Sequence, residues 1–395
     1  MAFVGMFDTS NFTTDLAKKS FAGMITRLMP NGSAPLFGLT SMLSSETAVA
    51  TEHGYFSKTM LFPELTLGAA VADAVANVFT VTSTANVLPG MIMRINSTGE
   101  NIIINQVISS TTVQVTRGVG VIAAAAVATA VKLYQVGNAF EEGSSRPTSL
   151  NITPVRITNL TQIFRNTWAL TDTARATQVI AGETTVAESK QDCAAFHAAD
   201  IEKALFFGQK SQGTRNGKPF RTMDGLISIV EQYSAQDNVH TAGATTNYTQ
   251  LEAYLDPVFN QATDPKVANE RVMFVGGAAN RVLNNIGRLN GTYQMVDGAT
   301  SYGLQFSTFK TARGTFRVIE HPLFNTNTDW SAMAVGVDLS TFNVAYLGDR
   351  KTRSEEEFGE GIDAIGGSLT TEMTCLVKNP PANVIIYGLT AAAAG

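Results

Sequence analysis

The chain has 395 residues, 44% of them apolar and only 15% charged, with a net charge of −5. That length predicts two or three folding units with sizeable cores, and a surface so poor in charge suits a protein that buries much of itself against neighbours. The mildly acidic balance, without a Lys/Arg stripe or basic tail, argues against tight nucleic-acid binding; the start, MAFVGMFDTSNF, is not a secretory signal, and no window approaches the ~18 apolar residues of a membrane span.

Residues 1–45 read as an extended arm with one short helix at Thr14–Leu28, because Pro30, Asn31, Gly32 and Pro35 break any long element. TAVATEHGYFSKTMLF (47–62) reads as a strand ending at Pro63. Residues 66–136 change character. FTVTS, GMIMRINSTGE, NIIINQVISS, TTVQVTRG and VKLYQV are short strand runs separated by turn residues such as Thr98-Gly99 and Ser109-Ser110, the pattern of a small all-β module. Within it, VIAAAAVATA (Val121–Ala130) is ambiguous. GNAFEEGSSRP (137–147) is a loop by composition.

ITNLTQIFRNTWALTDTARAT (Ile157–Thr177) is strand-like for about fifteen residues, yet it is studded with Thr, Asn, Gln and Arg. Antiparallel pairing of 47–62 with 150–170 would put the β module at the tip of a ribbon on the order of 50 Å long. A two-stranded ribbon is not stable alone in water, so it must lie on something, another chain included.

The clearest helix is Thr185–Phe207, with a candidate capping box at Thr185 and Glu188 and a stop at Gly208. Its apolar side is expected to hold Val186, Cys193, Phe196, Ile201, Ala204 and Phe207, with Glu188, Gln191, Asp192, Glu202 and Lys203 opposite. Residues 208–225 read as a loop. A mixed α/β region follows, with a helix marked by Leu251, Tyr254, Leu255, Val258 and Phe259 and disturbed at Pro257. RVMFV (271–275) is a strand running into a helix at GGAANRVLNNI. GTFRVIEHP, MAVGVDL, LTTEMTCLVKN and ANVIIYGL are further strands.

Motifs for chemistry are weak. Gly276-Gly277 is a tight strand-to-helix turn, lacking the further glycines of a phosphate cradle, and GTRNGK (213–218) departs from a P-loop in spacing and in Pro219. Cys193 and His197 share a helical turn, but two ligands make no zinc site and a packed core position is the better reading. Cys375 lies far away, so free thiols are expected, with one disulfide left open. His53, His240 and His321 are isolated, and no G-x-S-x-G occurs. No catalytic, cofactor or metal residues are assigned. In DRKTRSEEEFGEGID (349–363) a basic block, Arg350, Lys351 and Arg353, adjoins an acidic one, Glu355, Glu356 and Glu357. A solvated loop and a set of salt bridges between subunits both fit it.

Five stretches then fall in a telling order: TEHGYFSKTMLFP (51–63), NAFEEGS (138–144), NLTQIFRNTWALTDTARA (159–176), ESKQDCAAFHAADIEKALFFGQ (188–209) and LTTEMTCLVKNPPANVIIYGL (369–389). Together the chain resembles the major capsid proteins of tailed bacteriophages with the HK97 fold, and more narrowly the branch typified by the phage SU10 major capsid protein. The resemblance implies an α+β capsid fold. Residues 1–44 would be an N-terminal arm. Residues 45–65 and 137–172 would form the E-loop ribbon, laid over a neighbouring subunit. Residues 66–136 would be a small β-barrel-like insertion in it. Residues 173–214 and 341–395 would form the P-domain, with 185–207 as its spine helix, and 215–340 the A-domain. The ribbon would then be a strap between subunits, anchored by Ile163, Phe164, Arg165, Trp168 and Leu170.

The function implied is a non-enzymatic shell subunit. It would assemble with itself into pentamers and hexamers of an icosahedral head enclosing double-stranded DNA, held only by weak, non-specific contact. Portal, a separate scaffolding protein and a cement protein would be its partners, assembly would take place in the host cytoplasm, and no membrane is involved. Lys58 is the ribbon lysine, and the sequence identifies no Asn partner for a crosslink. A different virion part, a tail-tube or decoration protein, is the alternative.

Overall fold

Pro35 starts a helix rather than breaking one. The computed structural model describes residues 34–43, 45–58, 63–147, 149, 151, 153–177, 185–234, 238–243, 245–261, 270–290, 300–301, 304–305, 307–358 and 361–391. Helix α1 (Pro35–Met42) has Pro35 in its first turn, where a missing N–H costs nothing. The helix expected at Thr14–Leu28 lies outside the described residues. Instead of one strand over 47–62 there are two, β1 (Glu46–Ala48) and β2 (Glu52–Ser57), separated by exposed Val49 and Ala50. Residues 59–62 of that range are outside the described set.

The chain divides into two compact units. One is Phe56–Arg156; the other takes the residues up to Tyr55 and from Ile157 onward. In the first, β3 (Glu64–Thr66), β4 (Val78–Thr80), β5 (Met91–Ile95), β6 (Asn101–Ser109), β7 (Thr112–Thr116) and β8 (Lys132–Asn138) form an antiparallel sheet in the order β3-β8-β5-β6-β7-β4. Strict alternation sends Met93, Ile95, Ile102, Ile104, Val113 and Val115 to one face, the core of the unit. The ambiguous run at 121–130 forms no strand; it contributes one bridge, Val127 to Val71. Arg117 clamps it down. Its guanidinium pairs with fully buried Glu100 at 2.7 Å and donates to the carbonyls of Asp73 and Ala125. Burial pushes the Glu100 carboxyl up, but the Arg117 bonds outweigh it and hold the group below its ordinary range.

The second unit resumes at Ile157, within β9 (Val155–Leu160), which pairs with β2. Then come β10 (Gln162–Thr171), α2 (Asp172–Ala176) and α3 (Thr185–Phe207). The expected ribbon is therefore only one strand pair deep. Residues from Gln162 leave it for another sheet, because their apolar alternation has a partner in their own chain. The side chain of Thr185 lies outside the described residues, so the capping-box expectation has no test there. The helix stops at Gly208 for a steric reason: a Cβ there would sit 2.5 Å from the Ala204 carbonyl and 2.7 Å from that of Met223. That space lets the Gly225 N–H reach the Gly208 carbonyl at 2.9 Å. Between these glycines lies a hairpin, not the expected loop: β11 (Ser211–Arg215) and β12 (Lys218–Thr222), joined by Asn216-Gly217, both at positive φ.

The remaining elements are α4 (Leu226–Tyr233), β13 (Val239–Thr241), α5 (Tyr248–Leu255), β14 (Glu270–Val275), α6 (Gly277–Asn290), β15 (Thr300–Ser301), β16 (Leu304–Gln305), β17 (Ser307–Lys310), β18 (Thr315–Glu320), α7 (Thr328–Ser331), β19 (Ala334–Val337), β20 (Phe342–Leu347), β21 (Arg353–Phe358), β22 (Ala364–Val377) and β23 (Val384–Tyr387). At Pro257 the α-helix tightens into a 3-10 turn over Asp256–Gln261, since proline has no N–H for the next α-type bond. A mixed sheet, β13-β23-β19-β14-β18-β17, is apolar on both faces. Phe274, Ile319, Val335 and Ile385 face one core with α3 and α4, while Met273, Val275, Val318 and Ile386 face another with α5 and α6. The second sheet runs β1-β20-β22-β10, with β21 also on β22. The segment 349–363 thus holds a strand where a loop was one of two readings.

Candidate assembly surface

Strand β22 is the longest in the unit and carries β10 on one side and β21 on the other. Phe164 pairs with Thr371, Trp168 with Gly367 and Leu170 with Ile365, while Glu356 also pairs with Gly367. Period-2 alternation then fixes two faces. The inner face lies on α3: Trp168, Leu170 and Ile365 pack with Cys193. The Lys190 ammonium lies 5.1 Å from the Trp168 ring centre and 2.5 Å from Glu356.

A polar chain crosses this inner face. Asn166 donates to Asp200 at 2.9 Å, His197 Nδ1 contacts Asn166 Oδ1 at 2.7 Å, and His197 Nε2 contacts the Thr371 hydroxyl at 2.8 Å. His197 and Cys193 are both packed in the interior, and the Cys193 thiol is in no disulfide. Among the described residues no cluster of three metal-ligating side chains occurs. Burial lowers the His197 pKa, with Asp200 pulling weakly the other way. A folded-state value below the ordinary 6.5 means the unfolded chain binds the proton more tightly. The contribution of His197 to stability is therefore fully present above pH ~6.5 and is lost as the pH is lowered towards the depressed folded value. Urea midpoints at pH 7.5 and 5.5 should differ, and His197→Gln should remove part of that difference; an unchanged difference would assign it to other groups.

The outer face of the same strands carries Arg165, Thr167 and Ala169 from β10, Gly366, Ser368 and Thr370 from β22, and Arg353 and Glu355 from β21. Arg165, Thr167, Arg353 and Glu355 are exposed. Two shallow depressions open here, one of about 590 Å³ between Thr167, Glu355 and Ile362, the other of about 180 Å³ among Arg165, Arg350, Lys351, Arg353, Glu355 and Thr370. Arg165 borders both, and its Nε donates to the Thr370 hydroxyl at 3.3 Å. Arg350 reaches down to buried Glu372 at 3.1 Å, which also accepts from Thr161 at 3.0 Å. Lys351 lies 5.9 Å from the Tyr346 ring centre.

The sequence-derived anchors divide accordingly. Phe164, Trp168 and Leu170 are 6%, 6% and 9% exposed, so they are core residues of their own chain and not surface anchors. Only Ile163 and Arg165 of that group reach the surface. In the charged block Arg350 and Glu356 are engaged within the chain, by Glu372 and Lys190. Lys351, Arg353 and Glu355 stay exposed, and the Glu357 side chain is outside the described residues. The structure brings Arg165 to the block at 350–355, a juxtaposition nothing in the local sequence signals. Two buried acids were also missed or misplaced: Glu372, legible only as an acid inside the apolar run LTTEMTCLV, and Glu202, expected on the solvent side of α3 but fully buried. Phe196 makes the opposite exchange and is 50% exposed.

A family model described as SU10 major capsid protein matches residues 8–390. The major capsid protein of Pseudomonas phage PaMx41 is 40% identical over 405 residues, covering 98% of this chain and 96% of that protein. Among solved structures the chain is similar to one of Mycobacterium phage Cain, with 10% identity, 99% and 100% coverage and a TM-score of 0.49. It is also similar to the encapsulin of the holo-SrpI complex from Synechococcus elongatus PCC 7942, with 10% identity, 61% and 80% coverage and a TM-score of 0.45.

Proposed function

Since the chain belongs to the SU10 major capsid protein family and is a phage major capsid protein, we propose that its copies assemble into the pentamers and hexamers of an icosahedral head shell around double-stranded DNA. The observation that carries this reading is the relationship to the family over nearly the whole chain. The exposed polar face of β10, β22 and β21 adds to it. A sheet face of Arg, Thr, Ser and Gly makes adaptable hydrogen bonds and charge contacts that set register more than affinity. Many such modest contacts, repeated by closed symmetry, yield a strong shell.

In this reading the parts follow the HK97 pattern: arm at 1–44, E-loop at 45–65 and 137–172, β insertion at 66–136, P-domain at 173–214 and 341–395, and A-domain at 215–340. Ile163, Arg165, Lys351, Arg353 and Glu355 are the contact residues. The protein acts structurally, without catalysis, and the weak overall charge leaves packaged DNA loosely held. It resides in the virion after assembly in the host cytoplasm, with portal, a separate scaffold and a cement protein as partners.

Negative-stain electron microscopy of the purified protein, alone and with co-expressed neighbouring gene products, tests the reading. Closed shells or five- and six-membered rings are expected. Tubes would favour a tail component, and a uniform monomer under every condition would overturn the shell.

A further inference from the structure

The 180 Å³ depression on the outer sheet face carries four cations, Arg165, Arg350, Lys351 and Arg353, against a single lining acid, Glu355. Arg350 is already engaged by Glu372. Lys351 and Arg353 are exposed and, among the described residues, make only a distant ring contact and a bond to the Asp349 carbonyl. Like charges so close repel in a free subunit, and an anion placed among them relieves that repulsion.

A matching anion stands in the same sequence. Glu141 and Glu142 are adjacent, exposed, and in no ion pair with a described residue. They are held in a tight turn: Ser144 N–H donates to the Glu141 carbonyl at 3.1 Å, and Gly143 takes the left-handed φ of 73° that a side chain would resist. Their backbone is already ordered, so docking costs little further conformational entropy. Two carboxylates on one turn match a lysine and two arginines that present planar donor forks.

We propose that the depression bounded by Arg165, Lys351 and Arg353 receives the Glu141–Glu142 turn of a second copy of the chain. This rests on the shell reading and names the partner of its contact face. The contact lies at the rim of an interface, where charge sets pairing and rate and is screened by salt.

A charge swap on the full chain tests it. Glu141→Lys with Glu142→Lys, and Lys351→Glu with Arg353→Glu, should each lower the yield of assembled particles at least tenfold at ~0.15 M salt. The four substitutions together should recover most of that yield. Circular dichroism and urea midpoints of each variant separate failed folding from failed docking. For wild type, the rate of assembly should fall as salt rises. The proposal is overturned if the acidic-turn variant assembles as wild type does. It is also overturned if the four-fold variant is no better than the worse pair, or if only the basic-face variant fails, which would point to a polyanion as the occupant. Wild-type protein that forms no shell or ring sinks the shell reading itself, a result read without any variant.

Discussion

Trp168→Ala should unfold the β10–β22 layer rather than weaken contacts between subunits. The indole is 6% exposed and packs with Leu170, Cys193 and Ile365. It lies so flat on β22 that a Cβ on Gly367 would sit 2.8 Å from its Nε1. Removing a buried Trp leaves a cavity between sheet and helix worth about 3–5 kcal/mol, and the Lys190 ammonium above the ring loses a further contact of about 0.5–1 kcal/mol. That is a large part of the ~5–15 kcal/mol stability of a typical domain. The urea midpoint should drop steeply, and soluble subunit and assembled particle should be lost together. Ile163→Ala, one strand face away and 48% exposed, should change stability by less than about 1 kcal/mol while reducing particle yield. A Trp168→Ala subunit with wild-type stability that fails only to assemble would return Trp168 to the interface.

This reversal shows what the sequence could and could not disclose. The alternation of Ile163, Arg165 and Thr167 with Phe164, Trp168 and Leu170 marks a half-buried strand, and that much is legible. What covers the apolar face is not, because the partners are α3 and a strand about 200 residues later in the chain. The length of α3 is legible for the same local reasons: helical periodicity and a glycine where the chain must turn. Its burial pattern is not, since the helix is covered on more than one side. Phe196 therefore reaches solvent and Glu202 does not. The basic block at 350–353 announces itself, but only the fold adds Arg165 to it. The hairpin at 211–222 had a local signal, Asn216-Gly217 between two extended runs, which a reading of 208–225 as a loop passed over.

Glu202 carries the other large expected effect. Helix α1 has Ala34 at its N-cap, which offers no side-chain acceptor. The carboxylate of Glu202, from the C-terminal part of α3, takes that role: it accepts the N–H of Leu36 at 2.8 Å, the N–H of Phe37 at 2.7 Å and His321 Nε2 at 2.8 Å. His321 Nδ1 accepts the Leu323 N–H at 3.2 Å, which places the ring proton on Nε2, facing the carboxylate. Leu36 and His321 are fully buried and Phe37 half-buried, and the negative charge lies at the positive end of a helix. An amide cannot replace it, because turning one oxygen into an NH2 group sets donor against donor. Glu202→Gln should therefore cost about 2–4 kcal/mol although it is isosteric, and Glu202→Ala, leaving three donors unmet, about 3–5 kcal/mol. Hydrogen exchange locates the loss: the amides of Leu36 and Phe37 should exchange much faster in Glu202→Gln, while those of β14 and β19, in the neighbouring sheet, stay protected. Unchanged exchange at Leu36 and Phe37 would mean that α1 is held by the packing of Leu36 alone.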